Sequence, residues 1–266
     1  MNKIGLIIPV YNLSWMTINL LESIKACSDL NSFHFIIVDN GSSLQEFEKV
    51  NNWLGENDVL FTDIRYFEPI GFVKAVNRGI EEVIKEGLDY FFVLNNDTIV
   101  TPGWDIALLQ SLKKPNVAIV GPMTSPPDWR DLPGAKQLIR NKIPYARFKE
   151  NMDSFAKNLD ENFRGQEKKQ EFLPFYCAGF NTHIVKRVGT LDEQFNMGLF
   201  DDDDYCHRIK EAGYKIILRQ DVYVHHYHRS TWIQHDFDYF KLLDENRAIF
   251  IKKWGFDPWD RLKKNE

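Results

Sequence analysis

The amino-acid sequence predicts an α/β fold in which a parallel sheet is covered by helices on both faces. In the first hundred residues, strand-like apolar segments alternate with segments whose apolar residues recur at helical spacing. Strand segments such as 3–11 contain continuous apolar runs, which are typical of strands buried on both faces. Each helical segment is long enough to cross over between neighbouring parallel strands.

The predicted elements of the first half follow one another in a regular order. The helical segment that begins at Gly71 is closed by Gly87, a residue that commonly ends helices. Strands are predicted at 3–11, 33–40, 59–67 and 89–97, and helices at 15–27, 44–54 and 71–87.

The second half has a different character. Residues 125–172 contain four prolines and then a highly charged stretch, which predicts either a helical excursion or a mobile insertion. A strand followed by a helix is predicted within 172–189. Further on come a helix at 205–213, strand-like text at 214–228 and an amphipathic helix at 237–255. No internal repeat or low-complexity linker appears, so we expect a single domain over residues 1–266.

Composition limits the compartment and the partners. The chain has 266 residues and a net charge of −5, which argues against a nucleic-acid partner because neutralising phosphates requires a basic surface. Its three cysteines, Cys27, Cys177 and Cys206, are widely spaced, which favours a reducing cytoplasm over a disulfide framework. No apolar run reaches the 18 residues of a membrane span, so we expect no transmembrane segment, although the substrate can still be membrane-bound.

Three common nucleotide and hydrolase motifs are missing. Strand one leads into Pro9-Val10-Tyr11-Asn12, where a dinucleotide-binding turn would carry glycines. A lysine-containing phosphate loop and a Gly-x-Ser-x-Gly elbow are absent as well. The sequence therefore argues against dehydrogenases, P-loop NTPases and serine hydrolases.

Polar residues follow three of the predicted strands. They are Tyr11-Asn12 after the first strand, Asp39-Asn40 at the end of the second and Asn95-Asn96-Asp97 at the end of the fourth. Ligands of open α/β sheets bind beyond the carboxyl ends of the strands, so one shared site is expected there. An oxygen ligand such as Asp97 suits Mg²⁺ or Mn²⁺. Taken singly, each of these segments fits an ordinary turn as well.

Five of the seven histidines lie between residues 207 and 235. On a strand, His226 and His228 would share one face while His225 would take the other. A single histidine is most often a hydrogen-bonded core residue, but a cluster of this size favours a functional role, such as metal binding.

Four consecutive aspartates, Asp201 to Asp204, precede the helix predicted at 205–213. Acidic residues at a helix start complement the helix dipole, which explains two of the four. Nearby basic partners are limited to Arg208 and Lys210. The surplus of negative charge indicates a bound cation or a catalytic base.

In order and spacing, these segments resemble the family 2 glycosyltransferases of GT-A fold. The resemblance extends over nearly the whole chain. It is carried by IIPVYN (7–12), IIVDNGSS (36–43), GFVKAVNRGI (71–80), FVLNNDTIV (92–100), CAGFNTHIVKRVGTLDEQF (177–195), FDDDDYCHRIKEAGY (200–214), HHYHRST (225–231) and KKWG (252–255).

The resemblance implies a fold and a reaction. The fold is a Rossmann-like mixed sheet, mainly parallel and flanked by helices on both faces. Residues 1–100 would form the nucleotide-binding half, and 101–266 the acceptor-binding half with an insertion at about 125–172. The implied reaction transfers a sugar, with inversion, from a nucleotide-diphosphate sugar, and the expected nucleotide is UDP. The acceptor would be a hydroxyl of a glycan, a lipid-linked glycan or a glycoprotein, which places the enzyme in polysaccharide biosynthesis and allows peripheral membrane contact.

The resemblance also implies residue roles. Asp97 and His226 would hold a divalent metal, Mn²⁺ or Mg²⁺, that neutralises the leaving diphosphate. Asp202 would be the general base, with Asp201 as its acidic neighbour. Asp39 would bind the nucleobase. The donor-binding residues as a group would be Pro9, Tyr11, Asn12, Asp39, Gly71, Asn77, Asn95 and Asn96.

The chain departs from the family pattern at three positions. Asp201 replaces the glutamate that usually precedes the base, and Asn95 replaces the first aspartate of the metal motif. Adjacent histidines leave the metal ligand open among His225, His226 and His228, although the spacing from Asp202 favours His226. Trp129 and Trp232 are candidates for stacking on an acceptor sugar, and each fits the core equally well. A nucleotidyltransferase and an inactive sugar-nucleotide-binding protein are the alternative functions.

Overall fold

In a computed structural model that describes residues 3–124, 149–228 and 238–260, the chain forms one mixed sheet of nine strands. Its first half is purely parallel, with strands in the order β3-β2-β1-β4. The elements of this half are β1 (Ile4–Val10), α1 (Ser14–Cys27), β2 (Phe33–Asn40), α2 (Leu44–Glu56), β3 (Phe61–Tyr66), α3 (Phe72–Lys85) and β4 (Tyr90–Leu94).

Helices cover both faces of this parallel sheet. Along β1, the buried side chain of Ile7 packs in one apolar cluster with Val76 of α3. Its neighbours Leu6 and Ile8 belong to a second cluster on the opposite face, which includes Leu20 of α1. Because both faces are buried, the strand is apolar at every position, as the sequence predicts.

The second half adds antiparallel strands to the sheet. Its elements are β5 (Thr98–Val100), α4 (Trp104–Leu112), β6 (Val117–Met123), α5 (Lys149–Phe163), β7 (Glu167–Gln170), β8 (Cys177–Asn181), α6 (Thr182–Val188), α7 (Asp201–Glu211), β9 (Lys215–His226) and α8 (Tyr239–Trp254). β8 pairs antiparallel with β4 and with β6, and β9 runs parallel to β6 and antiparallel to β5 and β7.

The expected fold class is confirmed, the described part of the insertion agrees with the expected helical excursion, and the start of one helix differs from the expectation. Within the insertion expected at 125–172, the described part is the helix α5 and the edge strand β7, and α5 packs on β9 through Met152 and Ala156. The helix expected at 205–213 begins earlier, at Asp201, so all four aspartates belong to its first turn. Trp129, Trp232 and His235 lie outside the described residues.

The sheet order brings distant segments to one edge. β1, β2 and β4 are parallel, so their carboxyl ends lie together. The antiparallel β8 places Cys177 opposite Leu94 at the same edge. β9 also ends here, where its pairing with β5 sets His226 opposite Thr98.

Two further features bear on the expectations from composition. None of the described helices is long and apolar enough to cross a membrane. The three cysteines all lie in the described part of the chain, and no disulfide joins them.

Candidate active site

A cleft of about 480 Å³ opens at this edge of the sheet. Its volume lies in the range of small-ligand sites. Eight of the residues expected from the sequence to serve the reaction line it, namely Pro9, Tyr11, Asn95, Asn96, Asp97, Asp201, Asp202 and His226. Residues from the two ends of the chain therefore meet in one place.

The turn between β4 and β5 forms one wall of the cleft. The Asn95 backbone N–H donates to the carbonyl of Tyr176, and the Asn95 carbonyl accepts from the Thr98 hydroxyl at 2.7 Å. The amide of Asn96 donates to the hydroxyl of Thr17. These bonds hold the turn rigidly and leave the buried Oδ1 of Asn95 without a hydrogen bond from any described residue.

His226 stands beside Asp97 on this wall. Its Nε2 lies 3.2 Å from Oδ1 of Asp97, and the backbone N–H of Tyr227 donates to the Asp97 carbonyl. The imidazole stacks on the ring of Tyr176, with centroids 4.9 Å apart and nearly parallel planes. Pairing between β5 and β9 thus sets a carboxylate and an imidazole side by side in the cleft.

The other two histidines of the cluster have different surroundings. His228 lines the cleft, with its ring 4.2 Å from that of His226. His225 points to the opposite side of β9, where its Nδ1 lies 3.0 Å from the Tyr223 hydroxyl. Burial, together with the two neighbouring histidines, lowers the pKa of His225 to about 3. The alternation of faces expected from the sequence therefore separates His225 from the cleft.

Three of the four consecutive aspartates line the cleft from the first turn of α7. They are Asp201, Asp202 and Asp203. Asp201 is buried, and desolvation together with the Asp202 carboxylate raises its pKa well above the usual value. Asp202 is partly exposed, and its Oδ1 accepts the backbone N–H of Asp203. Burial thus disfavours the ionised form of Asp201, while Asp202 is the more exposed of the two in the cleft.

Asp204 points away from the cleft and is fully buried. Its carboxylate accepts from Nε of Arg208 at 3.0 Å, Nζ of Lys253 at 2.7 Å and Nε1 of Trp254 at 2.8 Å. Sequence reasoning missed the last two partners because they lie about fifty residues away. The fourth aspartate is therefore an anchor between α7 and α8.

Asp39 lies at the neighbouring end of β2. Its Oδ1 accepts the Ser42 backbone N–H, and Oδ2 is 3.4 Å from Nε of Arg65. Among the described residues, none donates a hydrogen bond to this buried Oδ2. Burial raises the pKa of Asp39, and Arg65 opposes that rise. The side chain next to it, Asn40, lines the cleft.

Three residues that were expected to bind the donor, Asn12, Gly71 and Asn77, contact other segments of the protein. The Asn12 backbone N–H donates to the Ser42 hydroxyl, and its side-chain oxygen accepts from the backbone N–H of Ser43. Gly71 precedes α3 with φ of 92°, and a Cβ there would lie 2.2 Å from Oδ1 of Asn196.

Asn77 is the third of these residues. Its amide donates to the Leu191 carbonyl and to the Glu193 carboxylate, and its oxygen accepts the Leu191 backbone N–H. Both polar groups of this side chain are engaged away from the cleft. Asn77 therefore links α3 to the segment that precedes α7.

The wall of the cleft that carries Asn95, Asp97 and His226, called the polar wall below, suits a divalent cation. Asp97, His226 and the buried Oδ1 of Asn95 offer the carboxylate, imidazole and amide donors that Mn²⁺ accepts. In the described part of the chain, no group of three or more His, Cys, Asp or Glu side chains could hold a metal ion alone. A cation here would need further oxygen ligands from a bound phosphate, a common arrangement for Mg²⁺ and Mn²⁺.

The cleft also has an aromatic part, in which the sequence analysis did not single out Trp259. Trp259 lines it, with its ring 4.1 Å from the guanidinium of Arg247. Arg247 itself makes a bidentate ion pair, in which Nε and Nη2 donate to the two carboxylate oxygens of Asp257. Arg247 belongs to the amphipathic helix expected at 237–255, but no local signal connects it with Trp259 and Asp257, which follow that helix. Further apolar residues that line the cleft include Phe172, Phe175, Tyr239 and Leu243.

Solved structures with a similar fold share the GT-A architecture. A mannosyltransferase from Pyrobaculum calidifontis, in complex with GDP-Man and Mn²⁺, superposes with a TM-score of 0.60 at 16% identity, over 84% of this chain and 56% of that chain. GalNAc-T7 with UDP, GalNAc and Mn²⁺ gives 0.64 at 13% identity, over 85% and 44%. Residues 1–349 of TarS from S. aureus give 0.58 at 13%, over 83% and 60%.

The chain spans about half the length of these structures. No curated protein matches its sequence. The model of the family described as Glycosyl transferase family 2 matches residues 6–188, which is more than half of the chain and includes most of β1, the Asp39 strand end and the Asp97 turn. The chain therefore belongs to the family 2 glycosyltransferases.

Proposed function

We propose that the chain transfers a sugar from a nucleotide-diphosphate donor to a hydroxyl of a glycan or glycoconjugate, and that the nucleotide of this donor is UDP. The transfer is assisted by a divalent metal and inverts the anomeric centre. The proposal places the protein in polysaccharide biosynthesis and keeps the cytoplasmic location expected from its cysteine content.

One observation carries this proposal. The cleft has a polar wall with Asp97 and His226, and an acidic wall with Asp201 and Asp202, and both walls line the same space. Among the described lining residues, none is Lys or Arg. A diphosphate would be repelled by these carboxylates, so its binding here calls for a bridging cation.

The chain's own residues have distinct tasks in the transfer. Asp202 accepts the proton of the acceptor hydroxyl while that oxygen attacks the anomeric carbon. The bond from this carbon to the donor phosphate oxygen breaks, and the nucleoside diphosphate leaves with the bonding electrons. Asp97 and His226 would hold a divalent metal, which would neutralise charge on the departing diphosphate. Burial and the neighbouring Asp202 carboxylate raise the pKa of Asp201, so Asp202, the more exposed of the two carboxylates, is the better placed base.

The preference for uracil rests on Asp39. Its buried Oδ2 is an acceptor without a described hydrogen-bond donor, and the N–H of a uracil ring would satisfy it. Arg65 is placed beside it with its guanidinium 4.2 Å from the centroid of the Phe47 ring. A base bound there would leave its phosphates near the end of β1, where Pro9 and Tyr11 line the cleft.

The acceptor side is the aromatic part of the cleft. Apolar faces of sugar rings pack well on indole and phenol rings, and the Trp259 ring also lies 4.1 Å from the guanidinium of Arg247. Tyr239 and Leu243 extend this surface along α8. We therefore expect the acceptor to be a carbohydrate, free or attached to a lipid or a protein.

The experiment that tests the proposal is product analysis of nucleotide sugars incubated with the protein and Mn²⁺. Release of UDP, accelerated by a glycan acceptor and accompanied by an inverted anomeric signal in NMR, is the expected result. Retention of configuration would contradict the inverting mechanism. Faster release of GDP than of UDP would contradict the role given to Asp39.

The alternatives give other products in the same assay. A nucleotidyltransferase would release pyrophosphate from a nucleoside triphosphate and a sugar phosphate. An inactive sugar-nucleotide-binding protein would bind UDP with Mn²⁺ in calorimetry, yet release nothing. Either outcome would overturn the proposed function.

A further inference from the structure

We propose that helix α8 is a positioning element that holds the acidic first turn of α7 in the cleft, through Lys253, Trp254 and Asn246. The inference rests on the proposed function, since it concerns the placement of the proposed base. Both α7 and α8 lie C-terminal to the residues that match the family model, 6–188.

The first contact is made at the acidic turn itself. Asp204 is fully buried, and one of its oxygens accepts from both Nζ of Lys253 at 2.7 Å and Nε1 of Trp254 at 2.8 Å. Its other oxygen is held by Arg208 of the same helix. A buried carboxylate with three donors has a defined orientation. Because Asp204 belongs to the turn that carries Asp202, this anchor sets the rotation of the turn about the helix axis.

The second contact is made just before the turn. Leu199 and Phe200 have φ of 72° and 66°, in the left-handed region that side chains other than glycine adopt at a cost. Such a conformation persists only when its surroundings impose it. The buried amide of Asn246 does so by donating to three carbonyl oxygens at 3.0, 2.6 and 3.2 Å, those of Phe195, Gly198 and Leu199.

The two contacts have one consequence. Helix α8 holds two neighbouring segments. Asn246 binds the strained loop that leads into α7. Lys253 and Trp254 bind Asp204 in the first turn of α7. Neither Lys253 nor Asn246 lines the cleft, so neither touches the substrate there. Loss of either should displace Asp202 while leaving the polar wall with Asp97 and His226 in place. Displacements of about 1 Å at a reacting group can cost roughly 10²-fold in rate.

The test is Lys253→Met, which removes the ammonium group and keeps much of the apolar stem. We expect kcat to fall about 10- to 100-fold. We expect affinity for UDP and Mn²⁺ in calorimetry to stay within about twofold, because the donor wall is built from other strands. Lys253→Arg should recover most of the lost kcat, since a guanidinium can still reach the Asp204 carboxylate.

Matched controls separate this effect from a general loss of stability. Lys252→Met alters the exposed neighbouring lysine and should leave kcat unchanged. Lys253 also contacts Asp192 at 2.6 Å, so Asp192→Asn shows whether that contact is responsible. In an Asp204→Asn background, Lys253→Met should lower kcat little further, because both substitutions act on one contact.

A second measurement does not depend on turnover. Hydrogen exchange of the peptide that spans residues 195–204 should become faster in Lys253→Met and in Asn246→Leu, and stay unchanged in Lys252→Met. Unchanged exchange and unchanged kcat in the Lys253 variant would overturn the positioning role. Absence of any transfer or donor hydrolysis by the wild-type protein would instead refute the proposed function, and the exchange experiment would still test the contact.

Discussion

At the scale of single residues, the four consecutive aspartates show how neighbours in sequence come to differ in chemistry. Asp204 is a buried anchor with three cationic or polar donors, while Asp201 is buried against another carboxylate. Asp202 remains partly exposed in the cleft. Their different burial and partners, rather than their residue type, assign them different roles.

The role of Asp202 can be tested by Asp202→Asn. An amide cannot accept the acceptor proton, so kcat should fall by about 10²–10⁴ while the affinity for UDP with Mn²⁺ is retained. The measurement is steady-state UDP release, together with calorimetry. Asp244→Asn on the exposed surface of α8 is the control for loss of one aspartate. Near-normal turnover would move the base elsewhere, first to Asp201.

The environment of Asp201 predicts a pH effect on stability. Its pKa is raised in the folded state, by burial first and by Asp202 second, so folding disfavours its ionised form. The wild-type protein therefore loses stability as the pH rises from the unfolded-state value of about 4 towards the raised value. Asp201→Asn removes this loss.

The measurement is thermal unfolding of Asp201→Asn and wild type between pH 4 and pH 8. The variant should gain melting temperature relative to wild type as the pH rises, and the difference should shrink towards pH 4. A difference that shrinks instead towards pH 8 would show that the folded state favours the ionised form of this carboxyl.

At the scale of elements, close contact between α3 and β1 decides which side chains the helix tolerates. Gly79 lies in α3 against the sheet, and a Cβ at this position would be 2.4 Å from Cγ2 of Ile7. Gly55 lies in α2 with open space around its Cα. Two glycines in helices thus have opposite surroundings.

These surroundings predict opposite effects of alanine. Gly55→Ala should stabilise by roughly 0.5–1 kcal/mol, because alanine favours the helical backbone. Gly79→Ala should destabilise by about 1–3 kcal/mol, because the added methyl forces α3 away from β1. Urea denaturation of both variants measures the difference. Stabilisation by Gly79→Ala would show that α3 can move outwards at little cost.

At the scale of the whole molecule, the cleft joins strand ends from the first half of the chain to α7 and β9 from the second. A ligand that bridges these parts binds only the folded state, so it should stabilise the entire chain. At about 100 times the dissociation constant, UDP with Mn²⁺ should raise the melting temperature by roughly 5–10 °C.

Asp97 provides the test of this linkage. Asp97→Ala removes the carboxylate beside His226, so the shift produced by UDP with Mn²⁺ should be lost. The shift in wild type should also vanish with a chelator. Measurement of melting temperatures with UDP alone and Mn²⁺ alone supplies the controls. A full shift in Asp97→Ala would place the metal elsewhere.

Much of this molecule could be predicted from its sequence, because the relevant signals are local. Apolar runs such as the one within 33–40 indicate strands buried on both faces, and the structure has β2 at those residues. The polar residues that end β1 and β4 identified the cleft edge. The alternation of faces along a strand was enough to separate His225 from His226.

Only the tertiary structure decided which segments distant in sequence contact one another. Asn77 and Gly71, expected at the donor, serve contacts with the segment around residues 191–196. Asp204 became an anchor through residues of α8 that no local pattern connects to it. Periodicity reports which side chains are buried, whereas the partner of a buried polar group depends on how helices and strands come together in three dimensions.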